Sequence, residues 1–571
     1  MIPAKTASSS PEIAPGRSTR NAVLRGWLIL AASLAPALAA IWSASWFVTQ
    51  DGPAHAYNAR ILAWSLTDHS PYAGVYEIHW DPIPNWAGHL AMAGLISTLP
   101  AWIADRLMTT ATFVGFAASV FWLRIRTAGS TGLAMAAVTS TLLALNFSWF
   151  LGFTSFMLGA CLFPITLGVW WSGRERLSAG RLLALAGLLT LGYFCHLVSL
   201  GLTVIGLVVL AWLAPYENRP PTIRERLERL GRTCLTFAPL VVLGIDYVRL
   251  SRAGGAMRPE WEHLRSPWSP SSWVEQLSWV DPISMAIKDG LPLTEHVAKV
   301  YSLLAPALWL AIALSCWWYN RMTSPRPSGR EGWPVLAALL IAAGLIGPDS
   351  LGAAHGQFLP QRVLLLGMAA LVPILDLDLR RLSGRASLAA MTGALAIQSA
   401  VVWDYARYCD RSAGQIIAAG ARVGSNQRLV TLLITSRTRF RSNPLMHAEN
   451  WLGVDRVNVV WNDYETAHYY FPVQFRPGLD RPDPADLERT TILEGPENLA
   501  ERLRKWTAIL ERHADVIDVV LVWKKDPAVD AVTERFYRLD EELGDVRIFR
   551  RRPRESPAAA PEPTRARKAS E

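Results

Sequence analysis

Thr49-Gln50-Asp51-Gly52-Pro53-Ala54-His55 stands where the first long apolar run of the chain ends. The run before it, Leu24 to Val48, is long enough to cross a bilayer as a helix. The chain then meets water with a carboxylate, a Gly-Pro break and, four residues on, an imidazole. If Pro53 starts a new helix, His55 lies on its first turn, close to Asp51. An acid and a base-capable ring are then held together at a membrane surface. The plainer reading is a helix stop followed by a second helix with Asp51 as its cap.

Outward from that stretch, apolar runs of span length recur. The 571 residues are 51% hydrophobic with a mean hydropathy of +0.19, the pattern of a polytopic α-helical membrane protein. Net charge is +9 and the pI about 9.4. The arginines cluster in short loops between apolar runs, which reads as membrane topology and not as a nucleic-acid footprint. Four of the five cysteines lie in or beside apolar runs and only Cys409 falls in the long polar region, so no disulfide framework is expected. Residues 1–23 read as a disordered basic lead. Ala37-Leu38-Ala39 mimics a signal-peptidase site. The apolar run is long for a signal peptide and many spans follow, so cleavage is not expected.

Arg17, Arg20 and Arg25 put the N-terminus in the cytoplasm. Residues 49–85 then lie outside, with Asp51, Asp68, Glu77 and Asp81 against a single Arg60. The stretch 86–104 decides the count. If it does not fully span, every later Arg cluster falls inside. We therefore expect it to dip into the interface, broken by Pro100 and ended by Asp105-Arg106. Further spans follow at 107–123, 131–147, 150–171, 182–195, 197–213, 234–249, 299–319, 333–348, 361–377 and 386–404. The pair 182–213 reads equally as one long tilted helix. The sum is about eleven spans, N-terminus in and C-terminus out, with a transmembrane domain over 24–404. Ionisable residues are scarce at mid-span, which argues against an ion-coupled transporter.

From about residue 405 the long apolar runs stop. Arg428–Thr435, Val516–Trp523 and Val546–Phe549 read as strands, and Asn498–His513 and Pro527–Leu539 as amphipathic helices. This order predicts a small extracytoplasmic α/β domain over 405–552 and a disordered tail over 553–571. The stretch from His447 to Pro472 is too aromatic for a linker and is expected to pack on the membrane domain. No phosphate-binding glycine loop is present.

The suggestive polar residues fall on one side: Asp51, His55, His79, Asp81, His196, Asp349, His355 and Arg362. Each has a dull reading. His196 suits a turn, Asp81 caps the following segment, Asp349 follows Gly347-Pro348 as a helix end, and Arg362 snorkels to lipid phosphate. Taken together on one face, they could accept a lipid substrate with a charged head. The loop 250–298 adds Trp261, Trp268, Trp273 and Trp279, which suit either a lid for sugar stacking or an interfacial aromatic belt.

The order of a first span, an external loop opening with an acid, many spans and a soluble C-terminal domain resembles the GT-C class of glycosyltransferases. That class includes protein O-mannosyltransferases and the lipid A aminoarabinose transferase. The strings Asp51–Ala59 (DGPAHAYNA), Gly152–Gly159 (GFTSFMLG) and Leu359–Arg362 (LPQR) are similar to bacterial relatives of that class. The resemblance implies a polyprenyl-phosphate-linked sugar as donor, transfer to an acceptor hydroxyl, and a multi-pass protein of a bacterial inner membrane in contact with its lipids. Carried over, Asp51 is the base and His55 its assistant, while Arg362, with His196, His355, Asp349 and Asp81, binds substrate. The next turn, Asn146–Gly152, lacks the second acidic motif of many members, which weakens the expectation of a divalent metal. If one is bound, Asp51, His55 and Asp81 are its expected ligands. Competing classes are a lipid or solute transporter and a non-catalytic envelope assembly protein.

Overall fold

The computed structural model describes residues 17–67, 70–215, 220–253, 269–280, 306–319, 329–352, 356–435, 440–493 and 495–552, with Met322 and Thr438. The first helix, Arg17–Ser43, shows how the membrane part is built. Leu30, Leu34, Ala37 and Ile41 recur at helical spacing and are buried, while Leu24, Leu28 and Ile29 are exposed. Exposed apolar residues on helix after helix, such as Trp102, Leu183, Val241 and Leu339, suit a lipid solvent.

Four described helices are long and apolar enough to cross a membrane: Ser18–Ser43, Ala101–Ala128, Thr154–Trp171 and Leu382–Val423. Ile223–Leu235 and Ala238–Arg252, bent by 55°, add a fifth if they form one span. Shorter apolar helices cover Leu133–Ala144, Ala179–Cys195, Leu197–Leu213, Pro306–Tyr319, Gly332–Ile346 and Leu359–Ile374. The described parts of the expected spans fall on these segments, and 299–305 lie outside the described residues. The chain is a multi-pass helical membrane protein.

One local expectation changes, and one pair of alternatives resolves as the pair of helices. Helix Trp86–Thr98 has 13 residues, about 20 Å at the α-helical rise, too short for a hydrocarbon core of about 30 Å. Its break is at Leu99-Pro100, and Asp105 and Arg106 lie inside the next helix, buried, and do not end the segment. Within 182–213 the chain breaks once, at an extended His196 between helices Ala179–Cys195 and Leu197–Leu213.

Arg124, Arg330 and Asp376 come together. Arg124 pairs with Asp376, and Arg330 donates to the same carboxylate at 2.5 Å. Arg124 lies near the end of helix Ala101–Ala128, Arg330 just before helix Gly332–Ile346 and Asp376 just after Ile374, segment ends expected on the cytoplasmic side.

Residues after the helix Leu382–Arg411 form a mixed α/β unit. Its strands are β2 (Arg428–Leu433), β3 (Val459–Val460), β5 (Val519–Trp523), β6 (Tyr537–Leu543) and β7 (Val546–Arg551). They lie in the order β3-β2-β5-β7-β6. β2 runs parallel to β3 and β5, whereas β7 runs antiparallel to β5 and β6. The central strands are buried on both faces, as their unbroken apolar runs require. The expected helix over Pro527–Leu539 is corrected here. It stops at Thr533, and Tyr537 starts β6, which turns back into β7 through Gly544 at φ +60°. Asp540, Glu541 and Glu542 keep that edge strand in water.

A second small sheet joins the two regions. β1 (Tyr76–Ile78) of the first loop pairs antiparallel with β4 (Val473–Phe475), setting Tyr76 opposite Phe475. The Tyr57 hydroxyl donates to the Asn458 carbonyl at 2.8 Å, and the Tyr72 hydroxyl to the Gly453 carbonyl at 2.7 Å. The aromatic stretch from His447 to Pro472 thus lies against the first loop.

Candidate active site

The chain leaves its first helix in irregular form, and distant side chains satisfy that backbone. Arg106 donates to the carbonyls of Ala44 and Ser45 at 2.6 and 2.5 Å. Asp410 accepts from the Trp46 amide at 2.6 Å, and Tyr405 donates to the Val48 carbonyl at 2.8 Å. The amides of Gln50 and Asp51 donate to the carbonyls of Phe150 and Leu151 at 3.2 and 2.9 Å. Gly152, at φ +78°, closes this arrangement, because a Cβ there would stand 2.6 Å from Thr49 Oγ1 and 2.9 Å from the Gly52 nitrogen. The turn that lacks an acidic motif therefore positions the acid of the loop before it.

Pro53 stands in the first turn of helix Gly52–Ser65, as expected. Asp51 precedes that helix but makes no side-chain capping bond, so the plain capping role is not realised. Its carboxyl instead receives a hydrogen bond from Tyr464 and lies 4.0 Å from His447 Nε2. Burial pushes the Asp51 carboxyl up to about 7, against the opposing pull of His55.

His55 packs beside it. Burial disfavours a charged ring, but the Glu465 carboxylate outweighs this and raises His55 to about 8. His55 Nδ1 bonds to one oxygen of Glu465, and His89 Nε2 lies 2.7 Å from the other. Burial opposes ionisation of Glu465 as well, yet the two imidazoles hold its carboxyl down to about 2. Burial takes His447 down to about 4, a neutral ring that packs against Tyr464 in a tilted pair with centroids 4.5 Å apart.

A cavity of about 270 Å³ opens in front of these groups. Asp51, His55, His447 and Tyr464 line it, and so do His196 and Arg362. Arg362 donates to His196 Nε2 at 2.9 Å and lies over the Phe153 ring at 4.3 Å. Its Nε is buried with no hydrogen-bond partner among the described residues. The carboxylate of Asp51 contributes to the field that Arg362 feels. Tyr470 and Phe471 supply further aromatic wall, and the hydroxyls of Tyr247 and Tyr469 meet at 3.2 Å beside it.

Of the expected site residues, the structure brings together Asp51, His55, His196 and Arg362. Asp81 is exposed and outside the cavity lining. Its carbonyl takes the indole N–H of Trp86 at 2.8 Å and the amide of Ile83 at 2.7 Å, a tight turn that keeps residue 81 at the surface. The expected ligand set of Asp51, His55 and Asp81 therefore does not assemble. Asp349 is half-buried outside the lining, with its carbonyl accepting from the Leu359 amide at 3.1 Å. His355, Trp261 and Trp268 lie outside the described residues. Trp279 packs on Phe147 and under Arg441 and does not line the cavity.

Sequence reasoning missed His89, Glu465, Tyr464 and His447 as site residues. One signal was available: His89 is the only ionisable side chain in the apolar helix Trp86–Thr98. The other three come from the C-terminal region, and only the fold brings them to the first loop.

No family model and no curated protein matches the chain. Three solved structures are similar to it. The arabinofuranosyltransferase AftD from Mycobacteria is 15% identical with a TM-score of 0.45, over 91% of this chain and 39% of its own. The archaeal oligosaccharyltransferase AglB from Archaeoglobus fulgidus is 11% identical with a TM-score of 0.42, over 94% of this chain and 75% of its own. ArnT from Cupriavidus metallidurans is 13% identical with a TM-score of 0.39, over 92% and 98%. The chain thus spans well under half the length of AftD. All three are glycosyltransferases of the GT-C superfamily, the class that the sequence resembles. At TM-scores below 0.5 none of them assigns a role to a residue of this chain.

Proposed function

We propose that the chain is a membrane glycosyltransferase that moves a sugar from a polyprenyl-phosphate donor to an acceptor hydroxyl. The observation that carries this reading is the shared cavity of Asp51 and Arg362. A carboxylate and a guanidinium placed in one pocket match the two charges that such a transfer develops. The acceptor O–H donates to Asp51. As the acceptor oxygen bonds to the anomeric carbon, its proton passes to that carboxylate. The bond from anomeric carbon to phosphate oxygen breaks, and its electron pair leaves with the phosphate. Arg362 faces that growing charge, and its Nε–H, without a partner among the described residues, supports a role as anion donor.

The neighbouring residues fit subordinate roles. Neutral His196 holds Arg362 in place. Tyr464 and His447 fix the Asp51 carboxyl in the pocket. Phe153, Tyr470 and Phe471 offer aromatic faces to a sugar ring and an isoprenoid chain. We place the pocket on the extracytoplasmic side of a bacterial inner membrane, as the arginine distribution predicts.

The test is a transfer assay on membranes containing the full chain, with a radiolabelled lipid-linked sugar donor. Wild type should release labelled product, and Asp51→Asn should lose at least about 100-fold of that rate. Undiminished transfer by Asp51→Asn would remove Asp51 as the base.

A further inference from the structure

We infer that His55, His89 and Glu465 form a binding site for one divalent cation of the zinc type, built between the first loop and the C-terminal region. Their ligand atoms all lie within 4.8 Å of one another. The inference does not depend on the reaction proposed above.

The hydrogen bonds around the two rings carry the argument. His89 Nδ1 faces the Asn85 carbonyl at 3.1 Å, and a carbonyl can only accept, so the ring proton sits there. The other nitrogen, Nε2, then turns a lone pair toward a Glu465 oxygen 2.7 Å away. His55 repeats the pattern. The Gly152 carbonyl accepts from its ring, and its Nδ1 faces the second Glu465 oxygen. Two lone pairs aimed at one carboxylate need positive charge between them. Either both rings take a second proton or a cation binds. An N–H given to a backbone carbonyl, with the second nitrogen aimed at a carboxylate, is the arrangement that orients a ligand histidine.

Burial and charge fit the same occupant. The side chains of His55, His89 and Glu465 are 9%, 1% and 0% exposed. A divalent ion with neutral imidazoles carries the same charge as two imidazolium rings, so Glu465 and nearby Asp51 balance either state. Two histidines and one carboxylate form a zinc-type set with a fourth position left for water. Two imidazoles disfavour magnesium or calcium, which prefer oxygen ligands. A tetrahedral ion holds its ligand atoms about 3.3 Å apart, so entry spreads the His89–Glu465 pair by about 0.6 Å and the closer His55–Glu465 pair by more, while ligand atoms now up to 4.8 Å apart draw in. Each entering ion displaces the extra imidazole protons into solution. Bound there, it clasps helix Gly52–Ser65, helix Trp86–Thr98 and the turn Tyr464–Ala467 together behind Asp51.

The experiment is titration of the detergent-purified full chain with Co²⁺, followed by visible absorption, with Zn²⁺ competition and metal analysis after gel filtration. Wild type should saturate at one Co²⁺ per chain with absorption bands of a low-coordinate ion, displaced by Zn²⁺ but not by excess Mg²⁺. His89→Gln and Glu465→Gln should each weaken binding at least about 100-fold, since loss of a mere supporting residue already costs 10–100-fold. His79→Gln, whose ring pairs with Glu77, should bind as wild type. No saturable Co²⁺ binding by wild type, or wild-type binding by both variants, overturns the site and leaves a doubly protonated His–Glu–His cluster. The wild-type titration needs no variant to fold.

Discussion

The side-chain amide of Asn58 donates to Asp463 Oδ1 at 2.9 Å, joining the helix of the first loop to the C-terminal region in a fully buried contact. Burial drives the Asp463 carboxyl well above its ordinary range, with Glu465 adding to the rise and Asn58 opposing it. The second oxygen of Asp463 has no partner, so Asn58 is its only side-chain donor among the described residues. Asn58→Ala should destabilise this junction by about 1–3 kcal/mol, the cost of stranding a buried polar group. Thermal unfolding of the detergent-purified chain and limited proteolysis between residues 424 and 476 measure it. Wild-type stability in the variant argues against a clamp at this position.

Acidity should control turnover through Asp51. Its carboxyl, raised to about 7 by burial, is protonated below that pH and cannot take a proton from the acceptor. kcat/KM therefore falls as pH drops below about 7, tenfold per unit, and levels off above it. A pH profile of sugar transfer reads this limb. In Asp51→Glu it should move with the new carboxyl, and a limb unmoved by that change belongs to another group.

Arg362 should resist conservative replacement. Lysine keeps the charge but loses the planar fork that grips phosphate and stacks on Phe153. Arg362→Lys should raise the KM for the lipid-phosphate donor by at least about tenfold, a loss of about 1.4 kcal/mol. Arg362→Gln should cost more. Donor titrations at saturating acceptor test this, and equal KM values for wild type and lysine variant exclude a bidentate grip.

Gly152 should tolerate no side chain. At φ +78° an alanine is strained by about 1–3 kcal/mol, and its Cβ would press on Thr49 and the Gly52 nitrogen. Gly152→Ala should therefore displace Asp51 and reduce turnover more than it reduces donor affinity. Parallel measurement of kcat and KM separates the two effects.

Local pattern made much of the membrane part legible. The spacing of Leu30, Leu34, Ala37 and Ile41 announces a one-sided helix, and the arginine loops sort the remaining runs. Asp51 could be singled out because a carboxylate at the end of a span is conspicuous. Strand β6 was hidden because Asp540-Glu541-Glu542 breaks its two-residue alternation and a helical stretch leads into it. Glu465 and Tyr464 could not be read as site residues at all. Their neighbours in sequence are aromatic and unremarkable, and their function-bearing contacts are with residues some four hundred positions earlier. Asp81 misled because topology puts it on the external side without saying which external groups meet, and the turn held by the Trp86 indole keeps it at the surface.

The pairing of Tyr76–Ile78 with Val473–Phe475 has a consequence for biogenesis. A ribosome delivers the first partner long before the second, so the early strand must wait, uncovered, while most helices enter the bilayer. The pocket is therefore completed late in synthesis, and a chain truncated before residue 473 should accumulate as an inserted but immature protein, open to proteases at the very loop that carries its acid.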